Sequence, residues 1–176
     1  MQKKDVLILM VAVLVSVITS YGFSRYSQQK TGWFTLQEVF NNFEFKKELE
    51  KKFNKTEEAR KKIIDSLELD LKILAKTIET QGKNADQSKI TQFSVKRESY
   101  YEKKQKFEED NQQMKSQFNQ QIFNQLNQYV KDFGKENNYK FIMGAEGSGS
   151  LMYGDEGIDL TKEITSFINL RYQGKK

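Results

Sequence analysis

IDSLELDLKILAKTIETQGKNADQSKITQF, residues Ile64–Phe93, decides the fold. Ile64, Leu67, Leu71, Leu74 and Ile78 recur by threes and fours. A polar run holding Gly82, Asn84 and Asp86 breaks the pattern, and Ile90 and Phe93 resume it. Steps of three and four put side chains on one helix face, and Gly, Asn and Asp are turn formers. The stretch predicts two long helices folded back on each other at a tip near residues 82–88.

The pattern extends outward on both sides. From Leu36 to Phe133 there is no proline, and Gly82 is the only glycine. The first arm opens with Leu36, Val39, Phe40 and Phe43 and continues through Leu49 and Phe53. On the return arm Phe93, Tyr100, Phe107 and Met114 follow a seven-residue step, and Phe118, Ile122, Leu126, Val130 and Phe133 continue by fours and threes. Glu48–Lys52, Glu57–Lys61, Glu58–Lys62 and Glu68–Lys72 have the favourable helical order, each worth ~0.2–0.5 kcal/mol. Arms of about 45 residues reach ~65 Å at 1.5 Å per residue. Gly134 is placed to cap the return helix.

The flanks predict a small sheet. Thr31–Thr35 (TGWFT) reads as a strand, Tyr139–Met143 (YKFIM) as a second, Gly144–Ser150 (GAEGSGS) as a flexible turn and Leu151–Tyr153 (LMY) as a third, closing a hairpin with the second. Asp159 is placed to cap a last helix, Leu160–Tyr172, striped by Leu160, Ile164, Phe167 and Ile168; Gly174–Lys176 reads as a frayed tail. The expected fold class is mainly α with a small β body. A long α-helical hairpin is inserted between a first strand and a C-terminal β-hairpin plus helix.

At the N-terminus Lys3 and Lys4 precede the apolar run Val6–Ile18. A basic start followed by such a run is an export signal. An A-x-A cleavage site is missing, so residues 1–23 are a signal peptide or a retained membrane anchor; both fates stay open. Retention would tether the chain to the inner membrane with the remainder outside the cytoplasm.

Composition narrows the function. The 176 residues include no Pro, Cys or His, but 13 Phe and 8 Tyr. Disulfides, thiolate chemistry, His-based metal sites and His-activated nucleophiles are thereby excluded. At 37% hydrophobic residues, much of it in the leader, the chain is too polar for a large core, yet too aromatic to be disordered. The net charge of +5 is mild. Glu48, Glu50, Glu57 and Glu58 interrupt the clusters Lys46-Lys47, Lys51-Lys52 and Arg60–Lys62, which argues against specific nucleic-acid binding and leaves a basic surface for membrane contact. GAEGSGS lacks the GK[ST] ending of a phosphate loop, and Glu57–Glu58 and Glu108–Glu109 read as solvated surface charge. No enzyme activity and no cofactor or metal site is expected.

The order strand, long helical hairpin, two strands, short helix behind an export signal resembles the Skp/OmpH family of periplasmic chaperones. GWFTLQEVFNNF (Gly32–Phe43) is similar to the family's first strand and helix start, and YKFIM…SLMYGDEGIDLTKEI (Tyr139–Ile164) to its closing segment. The resemblance implies a homotrimer whose arms enclose unfolded outer-membrane proteins in the periplasm, without ATP. It assigns residues 31–45 and 130–172 to a trimerisation body and 46–129 to the arm. The body core would hold Trp33, Phe34, Phe141, Met143, Leu151, Tyr153, Ile164 and Phe167. On the return arm Tyr100, Tyr101, Phe107, Met114 and Phe118 are the candidates for holding clients, since aromatic and methionine side chains make adaptable apolar contacts. A membrane-anchored coiled-coil scaffold of the cell envelope is the alternative.

Overall fold

The computed structural model describes Ser16 and residues 30–175; the expectation for the leader, residues 1–23, otherwise lies outside the described residues. The elements are β1 (Thr31–Thr35), α1 (Leu36–Asn42), α2 (Glu44–Gln81), α3 (Gln87–Glu136), β2 (Phe141–Ala145) and α4 (Thr161–Tyr172), with 3-10 turns at Gly82–Asn84 and Glu156–Ile158. Among the described residues they form two compact units, one of residues 30–39 with 129–167 and one of residues 40–128 with 168–175.

In the first unit β1 and β2 pair in parallel, from Thr31 opposite Phe141 to Thr35 opposite Ala145. A parallel pair needs a crossover connection, and here the crossover is the entire helical hairpin. The expected third strand at Leu151–Tyr153 and its hairpin with the second are not formed; among the described residues the sheet has two strands. The returning chain instead crosses to the other side of β1. Gly154 lies so close to the Trp33 indole that a Cβ there would sit 2.4 Å from Nε1. The indole N–H donates to the Asp155 carbonyl at 3.0 Å, and Trp33 and Asp159 form a parallel bridge. The Leu160 amide then donates to the Trp33 carbonyl at 2.7 Å.

The start of α4 is fixed by side chains. Asp159 Oδ1 accepts from the Thr161 amide at 2.9 Å, and the Thr35 amide donates to Thr161 Oγ1 at 2.9 Å. Around this network Phe34, Val39, Phe133, Leu160 and Ile164 are buried. Gly134 does not cap α3. The helix runs on to Glu136, and Asn138 adopts the left-handed conformation at φ 59°. The Tyr139 amide then closes onto the Gly134 carbonyl at 2.8 Å, a Schellman closure in which Asn takes the place usual for Gly. Because Tyr139 belongs to that cap, with its ring stacked on Phe133 at 5.7 Å, β2 begins at Phe141, two residues later than expected.

In the second unit α2 and α3 form the expected hairpin. Gly82, at φ 53°, turns the chain at the tip without a Cβ penalty, and Asp86 Oδ1 accepts from the Ser88 amide at 2.8 Å to open α3. The 38 residues of α2 span ~57 Å. The first arm is not one helix, because it breaks at Phe43, whose backbone is extended. Asn169 of α4 spans the break: its Nδ2 donates to the Asn42 carbonyl at 3.1 Å and its Oδ1 accepts from the Glu44 amide at 2.8 Å. The break turns Phe43 inward, fully buried, against Phe45 and Tyr172. The tail is not frayed through Lys175. Gly174, at φ 72°, ends α4, and the Lys175 amide donates to the Leu170 carbonyl at 2.9 Å.

Replacing Asn169 with leucine removes both bonds across the break. We expect a loss of about 1–3 kcal/mol in urea unfolding, with N169D recovering only the half that depends on the acceptor. Glu48, Glu58 and Glu68 are held below the usual carboxylate range, first by hydrogen bonds from Lys52, Lys62 and Lys72 respectively. Groups lowered on folding stabilise above the unfolded carboxylate pKa and lose that contribution as pH falls through the lowered value. Far-UV circular dichroism should therefore hold level near neutrality and lose helix only below about pH 4.

Candidate functional site

The hairpin surface follows from its seam. Phe53, Arg60, Ile64, Leu67, Leu71, Leu74 and Ile78 on α2 are half-buried, as are Phe93, Tyr100, Phe107, Met114 and Phe118 on α3. Cross-pairs run in opposite order along the two arms: Phe40 of α1 stacks on Phe123 at 4.9 Å, Arg60 of α2 meets Asp110 at 3.6 Å, and Asp70 of α2 meets Lys96 at 3.0 Å. Two helices alone cannot enclose a stripe of this length, which is why between Leu49 and Ile122 no seam side chain is fully buried.

Arg60 occupies a seam position that periodicity would fill with an apolar residue. Its guanidinium lies 5.5 Å from the Phe107 ring centre, donates to Asn111 Oδ1 and faces Asp110. A polar residue at such a position fixes the register of paired helices. Beside it a groove of about 520 Å³ is lined by Glu57, Glu58, Lys61, Lys104 and Glu108 around Ile64 and Phe107. The Lys62 hydrogen bond keeps Glu58 ionised. The groove therefore carries surface charge of both signs.

The apolar side chains left in water lie off the seam. Leu69 is 58% exposed, Ile73 59%, Val95 62% and Tyr101 62%. Leu69 sits two residues from Leu67, about 200° around the helix, and Ile73 lies one turn further on the same outward face. Of the residues expected to hold clients, Tyr101 is on this exposed surface. Tyr100, Phe107, Met114 and Phe118 belong to the half-buried seam.

The expected body residues divide in the same way. Phe34 and Ile164 are buried within the first unit, and Trp33, Leu151 and Phe167 are half-buried, with Phe167 edge-on to Phe133 at 5.3 Å. Phe141 is 56% exposed, Met143 37% and Tyr153 81%, and Met152 beside it is 88% exposed. Phe141 and Met143 lie on β2, whose second edge pairs with no strand among the described residues, and Met152 and Tyr153 lie in the segment leading to Gly154.

A family model, outer membrane protein (OmpH-like), matches residues 30–167. The chain belongs to the OmpH-like family. Its fold agrees with that of a protein from Caulobacter crescentus CB15, provisionally assigned as an OmpH-like outer membrane chaperone: the TM-score is 0.69 at 10% identity, over 82% of this chain and 86% of that one. No curated protein matches in sequence. Among the described residues no helix is long and apolar enough to cross a membrane.

Reading the OmpH-like chain by periodicity finds the seam and misses Leu69, Ile73 and Val95. Their signal is nonetheless present: each is an apolar residue out of phase with the stripe beside it. Arg60→Ala should cost about 1–2 kcal/mol, combining the lost hydrogen bond with lost stacking. A double-mutant cycle with Phe107→Ala should return a coupling of about 0.5–1 kcal/mol.

Proposed function

We propose that the chain is an ATP-independent periplasmic holdase that keeps unfolded outer-membrane proteins from aggregating, and that it works as a homotrimer. The observation that carries this reading is the set of exposed apolar side chains on the charged hairpin, Leu69, Ile73, Val95 and Tyr101. Isolated among charges, each offers a small, weak and unspecific contact. Many such contacts hold a chain that has no fixed shape and let it go when it buries its own apolar surface in a membrane. The half-buried Tyr100, Phe107, Met114 and Phe118 add partial contact area where the seam opens.

In this reading residues 46–129 are the holding arm, 31–45 and 130–172 the trimerisation body, and 1–23 a signal peptide or anchor. Phe141, Met143, Met152 and Tyr153, exposed in a single chain, are the surface a trimer would cover. The family match and the description of the Caulobacter protein as a chaperone support a chaperone role.

The test is light scattering from a urea-unfolded outer-membrane β-barrel diluted into buffer. The protein should suppress aggregation at near-stoichiometric ratio, with a solution mass three times that of its chain, 20.7 kDa when residues 1–23 are retained. L69S/I73S/V95S should lose most of the suppression while the trimer persists, since each exposed substitution changes stability by about 0.5 kcal/mol or less. Tyr100→Ser and Phe107→Ser should also weaken holding, but with a lowered melting temperature, because they open the seam. A protein that binds one folded partner and lets the unfolded barrel aggregate would be an envelope scaffold instead.

A further inference from the structure

Where the seam passes from buried to half-buried, the second unit has a cleft of about 240 Å³ between α2 and α3. Its floor is apolar: Leu49 and Ile122 are buried, and Phe53 and Phe118 are half-buried. Its rim is polar. Asn54 of α2 and Asn119 of α3 are exposed on either side. Glu50 is taken up by Lys46 at 2.8 Å. Lys115 has no carboxylate partner and stands over no ring among the described residues. Sites for drug-sized ligands measure roughly 300–1,000 Å³, so this cleft has room for one side chain rather than a whole ligand.

Lys115 decides which side chain. Elsewhere in this unit cations stand over ring faces: Lys46 over Phe40 at 5.2 Å, Arg97 over Phe93 at 5.9 Å and Lys104 over Tyr100 at 6.0 Å. Arg97 and Lys104 each use the ring four residues before them, but four residues before Lys115 stands Asn111. A ring entering from outside supplies what Lys115 lacks, with an apolar body for the floor and a negative face for the ammonium. The two asparagines decide what that ring is attached to. A side-chain amide is donor and acceptor at once, which matches an extended backbone whose N–H and C=O groups are still unpaired. Strands of outer-membrane barrels carry girdles of aromatic residues on such a backbone.

We propose that this cleft is a pocket for one aromatic side chain of an extended, unfolded client. Leu49, Phe53, Phe118 and Ile122 receive the ring, Lys115 meets its face, and Asn54 and Asn119 pair with the backbone on either side of it. The proposal deepens the holdase reading and rests on it for the class of client. It adds a preference for aromatic residues to the unspecific contacts of Leu69, Ile73 and Val95.

The experiment is methyl NMR on the full chain. The probe is a terminally blocked octapeptide of serine and threonine with one central tyrosine, compared with its twin carrying leucine instead. The tyrosine peptide should move the Leu49 and Ile122 methyl signals by ring current and leave those of Leu69 and Ile73 in place. It should bind about two- to fivefold more tightly than the leucine peptide. K115M, which keeps the length of the side chain and removes its charge, should erase that preference. N119W, which covers the cleft from an exposed position, should abolish the shifts. Equal binding of the two peptides, or a K115M protein that keeps the preference, would overturn the pocket and leave the chaperone reading intact. Shifts spread evenly along the hairpin, or shifts that persist in N119W, would overturn it in the same way. Shifts that grow with protein concentration in the absence of peptide would make the cleft a contact between copies and overturn it as well. Selective shifts in a protein that lets the unfolded barrel aggregate would overturn the chaperone reading and leave the pocket standing.

Discussion

The seam between α2 and α3 is the constraint on which the second unit depends. Two helices share one stripe each, and a stripe can be covered only from the side where the partner stands. Half-burial of Ile64, Leu67, Leu71, Leu74 and Ile78 against Phe93, Tyr100 and Phe107 is the result. The seam is sufficient to pair the helices but leaves any apolar residue outside the stripe in water. Leu69, Ile73 and Val95 are such residues. Their exposure is therefore set by the architecture and does not reflect incomplete folding. Arg60 makes the seam specific rather than strong: at one position it replaces dispersion contacts with a guanidinium that has partners in only one register, Phe107, Asp110 and Asn111.

The first unit solves a different problem. A parallel two-stranded sheet has little stability of its own. Here one edge of β1 is paired with β2 and the other is occupied by the Asp155–Leu160 segment, anchored through Trp33 and the Asp159–Thr161–Thr35 network. The far edge of β2 and the apolar side chains near it stay available. Under the trimer we propose, the two units divide the work: one supplies the surface that assembles and the other the surface that holds.

Much of this was legible in the sequence. The hairpin, its tip at Gly82, the first strand and the role of Asp159 follow from local rules, because periodicity, turn formers and capping residues act within a few positions. What escaped depends on partners far along the chain. Nothing near Phe43 foretells that Asn169, over a hundred residues away, will replace the hydrogen bonds of a broken helix. LMY looks like a strand, yet the segment after it is drawn to the Trp33 indole on the opposite side of β1. Gly134 looked like a cap because glycine usually is one, but Asn138 occupies the left-handed position four residues later. In the candidate site, period-seven aromatics marked the seam more clearly than the client surface, since a stripe regular enough to see is regular enough to be half-covered.

Site-specific photo-cross-linking compares neighbouring positions on one helix most directly. A photoreactive residue placed at Ile73 or at Leu74 is irradiated in the presence of an unfolded outer-membrane β-barrel. Abundant client adducts are expected from position 73, on the outward face, and few from position 74, on the seam. Equal yields from both positions, or adducts from 74 alone, would contradict this.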